Sequence, residues 1–340
     1  MAYTDIDDPS AYFQTALYTG DNANTKAITF DGNSDLDLSS GGLWWGKTRS
    51  TARNHNLVDS IRGVTKTLES NTTGAERSSD SSGFLASFNS NGFTTQKGSY
   101  DNGNVNMSGR TYVNWCWKET EDAGFDIVSY TGNATARTIS HSLSAVPAWM
   151  IIKCRSEDGH SWKVYHKSIG ATGALSLQNT GATDTDSNYF NDTAPTSSVF
   201  TVGSNGDVND NGETFIAYLF AEKQGYSKFG SYVGNGNVNG SYIHLGFSPA
   251  FILGKRTDSS GGWWILDSKR PGFNLTDEYL LGNDAQAEDD DGSFATDFLS
   301  NGWKARATNG NFNASGGTYI FMAFASNPFV TSTGVPATAR

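Results

Sequence analysis

The run "GETFIAYLFAE" (212–222) carries two apolar sets between a glycine turn and a closing acid. In an extended chain Phe215, Ala217, Leu219 and Ala221 fall on one face, and Ile216, Tyr218 and Phe220 on the other. Both faces are apolar, so the pattern predicts a central strand of a packed sheet. The run recurs as "GRTYVNWCWKE", ending at Glu119, and as "GGTYIFMAFAS", ending at Ser326. "PAWMIIKCRS" (147–156) reads as another strand, entered through a proline that a strand start tolerates. Turn signals such as "GNGNVNG", "SSGG" and "NASGG" interrupt the chain about every ten residues. Helical period is weak. Its best window, "TDEYLLGNDAQAEDD" (276–290), is broken by Gly282. The expectation is an all-β protein.

Six landmarks recur in one order. The closing runs place threonine at 111, 214 and 318, spaced by 103 and 104 residues. "YTGDNA", "YTGNAT" and "YVGNGN" open at Tyr18, Tyr130 and Tyr232. Next come strands bearing Lys47, Lys153 and Lys255, then "NLVDSIRGV", "KVYHKSIGA" and "ILDSKRPGF". "SNGFT", "SSVFTV" and "SNGWK" follow, and "NMSG", "NDNG" and "NASG" precede each closing run. A period near 103 is too long for a solenoid and has the length of a small domain. The expected organisation is an N-terminal arm at 1–17 and three repeats at 18–119, 129–222 and 231–326, then a polar tail at 327–340. Many short strands with frequent turns predict three tandem β-sandwiches of jelly-roll or lectin-like kind, about 100 residues each. The joints are short, so the repeats should pack on one another. Function is expected in the loops that differ between repeats.

Composition narrows the class. Aromatic residues make up 13% and charged residues only 17%, with 38 glycines. No apolar stretch nears the roughly 20 residues of a membrane span, and the first residues lack a secretory layout. A net charge of −11 with no basic cluster argues against nucleic acid as a partner. Cys116 and Cys154 lie inside apolar runs and read as buried free thiols.

Chemistry-bearing motifs are scarce. There is no nucleophile elbow, phosphate loop, dinucleotide fingerprint or zinc-protease helix. His141 and His244 are equivalent positions and read as structural. His166 matches Asp59 and Asp267, each followed by an arginine three residues on, which suggests a local ion pair. Asp31, Asn33, Asp35 and Asp37 alternate like the start of a calcium loop, but the later glycine and glutamate are missing. The acidic stretches 183–188 and 288–293 read as solvated loops. Glu119 and Glu222 are matched boundary positions and not an acid/base pair. No cofactor, no metal and no enzymatic activity are expected. The adjacent pairs Trp44/Trp45 and Trp263/Trp264 should each turn one indole away from its own core, as a contact or a sugar platform. Tyr12, Phe13 and Leu17 make the arm a candidate anchor.

The segments "DIDDPSAYFQTALYTG", "SIRGVTKTLESNTT", "SYTGNATARTISHSLSAVPAWMIIKCRS" and "NDTAPTSSVFTVG", with the closing runs, resemble a family of virion proteins of marine tailed bacteriophages, including those of cyanobacteria. The resemblance covers nearly the whole chain. Members are labelled tail fibre or structural protein. It implies a virion protein assembled in the host cytoplasm and exposed on the particle. Its partners would be other virion proteins, further copies of the chain (a trimer being natural for a fibre) and a host surface glycan. A tail-associated fibre or adhesion component leads. A capsid decoration or head-fibre protein is the alternative, and a polysaccharide-degrading tailspike is the third. The family carries no catalytic or binding residue over to this chain, and no coiled-coil heptads enforce a trimer.

Overall fold

The computed structural model of the chain describes residues 4–78, 81, 83–99 and 105–336. The described residues form antiparallel sheets with a few single-turn helices, so the chain is all-β. The window 276–290 holds the short strand Leu280–Leu281 and turns, not a helix.

Each repeat builds one larger sheet in the same order. The opening strands are Phe13–Thr19, Phe125–Thr131 and Ser227–Val233. The closing strands are Thr111–Lys118, Thr214–Phe220 and Thr318–Pro328. Each opening strand pairs with its own closing strand. The closing strand then pairs with Gly42–Thr48, Trp149–Cys154 or Phe247–Arg256. These in turn pair with Asn56–Asp59, Lys163–His166 or Trp264–Asp267. The closing strand thus has a neighbour on either side, as its two apolar faces predict. The opening strands start four to five residues ahead of the expected repeat boundaries at 18, 129 and 231.

The two faces of each closing strand enter different cores. Cys116, the set Phe215/Ala217/Leu219 and the set Tyr319/Phe321/Ala323 each join a cluster with the smaller sheet of their own repeat. Val113, Trp115 and Trp117 join one shared cluster with Ile216, Tyr218 and Phe220 and with Ile320, Met322 and Phe324. Trp117, Phe220 and Phe324 are equivalent positions and meet as a triangle. Their ring centroids lie 6.4, 5.7 and 5.8 Å apart. Aromatic pairs at such spacing add about 0.5–1.5 kcal/mol each beyond area burial. The three repeats therefore share a core that lies between them.

The landmark asparagines brace the turn after each opening strand. Buried Asn209 accepts from the Asn133 amide at 3.0 Å and donates to the carbonyls of Thr135 (2.8 Å) and Gly203 (2.7 Å). Asn313 repeats this with Asn235, Asn237 and Ala307, and Asn106 with Asp21 and Ala23. The glycine of each opening landmark lets the turn close on this brace. A Cβ at Gly132 would stand 1.9 Å from the Asp210 carbonyl oxygen. Equivalent clashes arise at Gly20 and Gly234.

Replacing Asn209 by alanine removes the partner of one amide and two carbonyls, of which the Gly203 carbonyl is fully buried. The expected loss is roughly 1–2 kcal/mol of stability, read as a lowered urea midpoint by circular dichroism. An unchanged midpoint would show that the brace contributes nothing.

Candidate functional site

The structure gathers its buried charge between the repeats. Lys47, Lys153 and Lys255 are buried and each reaches a carbonyl of another repeat. Lys153 of the second repeat donates to Thr73 of the first at 3.2 Å. Lys255 of the third donates to Thr180 of the second at 3.2 Å, and Lys47 of the first to Ala285 of the third at 3.2 Å. The same three carbonyls also accept the backbone amides of Gly159, Gly261 and Arg53, at 3.0, 2.8 and 2.7 Å. Glu76, Thr183 and Glu288 donate their backbone amides to Arg155, Thr257 and Arg49. The second repeat docks on the first, the third on the second and the first on the third, so the contacts close cyclically.

The residue just before each of the strands Asn56–Asp59, Lys163–His166 and Trp264–Asp267 extends the pattern. Trp162 donates its indole N–H to the Glu69 carbonyl at 3.0 Å, and Trp263 to the Ser176 carbonyl at 2.9 Å. In the first repeat His55 stands there. Its Nδ1 accepts from Trp45 at 2.9 Å, so Nε2 carries the proton that faces the Leu281 carbonyl at 3.0 Å. Burial holds His55 neutral, well below the usual imidazole range.

Two of the three contacts also carry a carboxylate–guanidinium network. Asp59 accepts from Arg62 Nε at 2.5 Å and from the Tyr218 hydroxyl at 2.7 Å, across the boundary. Arg62 continues to Glu76, which Arg155 of the second repeat also holds at 3.0 Å. Asp267 accepts from Arg270 at 2.6 Å and from Trp115 Nε1 at 3.0 Å. Arg270 reaches Glu288, which Arg49 of the first repeat holds at 2.6 Å. The local Asp–Arg pairs expected from the sequence are present, and they reach further than spacing alone implies. At the third contact the equivalent positions hold His166, Ile169, Thr183 and Thr257. Burial pushes His166 down to about 3, so this set of four carries no charge in neutral solution.

The tryptophans expected to offer an outward face are all buried. Trp44 and Trp264 lie in the clusters of their own repeats, and Trp45 and Trp263 in the shared one. The outward indoles do leave their own cores, but the neighbouring repeats cover them. None has a ring face open to a sugar in this structure. The expected arm is also corrected. Residues 13–19 are the first strand of the first sheet, and Phe13 stacks on Phe324 at 5.4 Å. Leu17 packs against the shared cluster, and Tyr12 lies edge-on to Tyr226 at 6.0 Å. The opening strands of all three repeats need the same apolar partner, which removes these side chains as free anchors. Ahead of them Thr4 is bonded to the Gln224 carbonyl at 3.0 Å, and Asp7 holds Ser332. Residues 1–3 of the arm and 337–340 of the tail lie outside the described residues.

The remaining candidates have local partners. Cys116 and Cys154 are buried free thiols. Asp31 pairs with Lys269 at 2.7 Å, Asp35 accepts from Asn91 at 2.6 Å, and Asp37 accepts from Ser39 at 2.6 Å. The first acidic loop is therefore divided among separate partners. In the other two, Asp186 caps a short helix and Glu288 belongs to a boundary network. Glu119 accepts from the Ile127 amide at 3.3 Å and from Ser60 at 3.0 Å, and burial raises its carboxyl. Glu222 stands in the same way against the Phe229 amide, at 3.5 Å. Each glutamate tethers the next repeat's opening strand. The equivalent position of the third repeat is Ser326, which donates to the Ser248 carbonyl of its own repeat at 3.0 Å. A cleft of about 730 Å³ opens where Asp5, Glu222, Lys228, His244 and Phe329 meet. No sequence pattern marked it, because its walls come from both ends of the chain and a joint.

Desolvation lowers Lys47 to about 7, partly offset by Asp284 and Glu288. It lowers Lys153 and Lys255 to about 8. An unfolded lysine stays protonated to about 10.5, so between these values folding releases a proton. Stability from these groups therefore rises with pH, by about 1.4 kcal/mol per unit for each lysine. Below the folded value the penalty is constant. The stability of the wild type relative to Lys47→Met should thus grow by about 2 kcal/mol from pH 7 to 9, measured by urea unfolding. A pH-independent difference would mean that the amine stays charged in the fold.

No curated protein matches the chain. Residues 8–328, from the cap of the first turn to the end of the last closing strand, match the family described as a domain of unknown function (DUF7483), and the chain belongs to that family.

Proposed function

We propose that the chain is a non-catalytic structural protein of a bacteriophage particle, most simply a tail-associated fibre or adhesion component that meets the host surface. In this reading each repeat is a β-sandwich domain of jelly-roll or lectin-like kind, and the three form one block with approximate threefold symmetry. The observation that carries it is the use to which recurring residues are put. The landmark lysines, asparagines and closing strands all go into holding repeats together or bracing their turns. The sequence resemblance to virion proteins points the same way. The family match spans all three repeats at once, which favours the block as the working unit over any single repeat.

The cyclic contacts modify one expectation. A fibre usually reaches threefold symmetry with three chains, and here one chain closes the ring on itself. We therefore favour a single chain docked on a threefold or sixfold position of the particle over a homotrimer. The same symmetry suits a capsid decoration or head-fibre protein at a local threefold position, which keeps that second reading in play.

Light scattering should give one chain of 36.5 kDa. A stable trimer would overturn the single-chain block. Purified protein should bind host cells or their lipopolysaccharide without releasing reducing ends from host polysaccharide. Release of reducing ends would overturn the non-catalytic reading. Particles with this protein labelled should show it on the tail in micrographs, and label on the capsid lattice would select the second reading.

A further inference from the structure

A group that none of these roles uses lies on the rim of the second repeat. Glu157, His160 and Asp210 bring one donor atom each within 4.8 Å of the others. His160 Nε2 stands 3.3 Å from Glu157 Oε2 and 3.8 Å from Asp210 Oδ2. The fold does not demand these residues. Counting from the landmark lysines and asparagines, the first repeat has Thr51, Asn54 and Met107 there, and the third has Ser259, Gly262 and Ala314. The three side chains are an addition to a scaffold that closes without them in both siblings.

The surroundings hold the set in place. The His160 carbonyl accepts from buried Lys153 at 3.0 Å, which fixes the backbone under the ring. Asp207 lies 3.8 Å from His160 Nδ1, and its own position is set by the Ser161 amide at 2.7 Å. At that distance Asp207 is a neighbouring charge and not a hydrogen-bond partner of the imidazole. Asp210 Oδ1 accepts from the Asn211 amide at 2.8 Å, and Oδ2 turns to the cluster. Gly206 lies beside both His160 and Asp210.

We propose that Glu157, His160 and Asp210 form a binding site for one divalent transition-metal ion of the zinc class. Tetrahedral bonds of about 2.0–2.2 Å put ligand atoms roughly 3.3–3.6 Å apart. The imidazole–Glu157 spacing already fits, and the imidazole–Asp210 spacing exceeds it by a few tenths of an ångström. The two carboxylate oxygens lie within 4.8 Å of one another, a gap that side-chain rotation of the exposed Glu157 closes. One nitrogen and two carboxylate donors suit zinc, whereas calcium takes six to eight oxygens. Three protein ligands leave a position on the solvent side for water or for a donor from a partner. The ion also neutralises a concentration of carboxylates in a chain that is already acidic. The site stands apart from the particle role and does not rest on it.

The test is calorimetric titration of the full chain, freed of metal with a chelator, with zinc chloride alone. One equivalent should bind per chain. His160→Ala and the nearly isosteric Asp210→Asn should each weaken binding at least tenfold, while His141→Ala and His244→Ala bind as the wild type does. Cobalt(II) in place of zinc should give the visible absorption of a four-coordinate site, and lose it in Asp210→Asn. Circular dichroism of the metal-free variants confirms that they fold. Absence of saturable binding, or binding unaltered in both His160→Ala and Asp210→Asn, would overturn the site. Calcium binding as tightly as zinc would overturn the assignment of the ion.

Discussion

A strand that is apolar on both faces has to be covered twice, and the closing strands impose that requirement three times over. One cover comes from the smaller sheet of the same repeat. The other cannot, because a repeat has no third layer. Each repeat alone would expose the row that ends at Trp117, Phe220 or Phe324 to water. At about 25 cal/mol per Å² of apolar surface, three such rows are a strong drive to associate. Two repeats facing each other would leave the third uncovered. Three around a common line cover one another, and short joints leave them little choice of partner. The head-to-tail contacts then meet at the third step, which separates a closed ring from an open filament.

The polar groups at the boundaries have a different task. Desolvating a lysine amine or a guanidinium is costly, and a buried ion pair seldom repays it in stability alone. What such groups supply here is discrimination among repeats of nearly equal shape. The first and third repeats present Asp–Arg–Glu sets, and they receive Arg155 and Arg49 respectively. The second repeat presents a neutral set and receives Thr257. Docking the third repeat on the first would put Thr257 in the place of Arg155, leaving Glu76 with Arg62 at 3.3 Å and Lys66 at 3.9 Å. A wrong order thus takes from a half-buried carboxylate its nearest cation, and the cost of that error falls only on the wrong ring.

Much of this was legible before any coordinates. The two-faced period of the closing run placed it inside a sheet, and the landmark spacing located the repeats. The Asp59–Arg62 and Asp267–Arg270 spacings announced local pairs. What could not be read was who covers whom. One indole of each tryptophan pair was expected to point away from its own core, and in the fold these are Trp45 and Trp263, yet periodicity says nothing about what lies beyond a strand. The same limit turned Tyr12, Phe13 and Leu17 into an apparent anchor. They precede the first recurring tyrosine, and only strand pairing shows that the repeat begins earlier. Lys47, Lys153 and Lys255 recurred visibly, but a recurring lysine on a strand reads as exposed until its carbonyl partner in another repeat is seen. Glu119 and Glu222 make the point from the other side. Read along the chain they are matched boundary acids, and in the fold each reaches the first strand of the next repeat, whereas Ser326 bonds within its own.

A repeated protein also offers its own internal comparison. Where all three repeats agree, the residue is accounted for by the scaffold: a brace, a lysine clamp, an aromatic apex. Where two agree and one departs, the departure has either a structural reason, as where His55 takes the place of Trp162 and Trp263, or a chemical one. Glu157, His160 and Asp210 have no such structural reason. Their counterparts are small, neutral or apolar, and the turn that carries Glu157 and His160 makes through Gly159 the same cross-repeat amide bond that Arg53 and Gly261 make in the sibling copies. Three ionisable side chains that converge on one point at positions the fold leaves free are poorly explained by packing. The argument needs no related sequence, because the two sibling repeats serve as controls within the same chain.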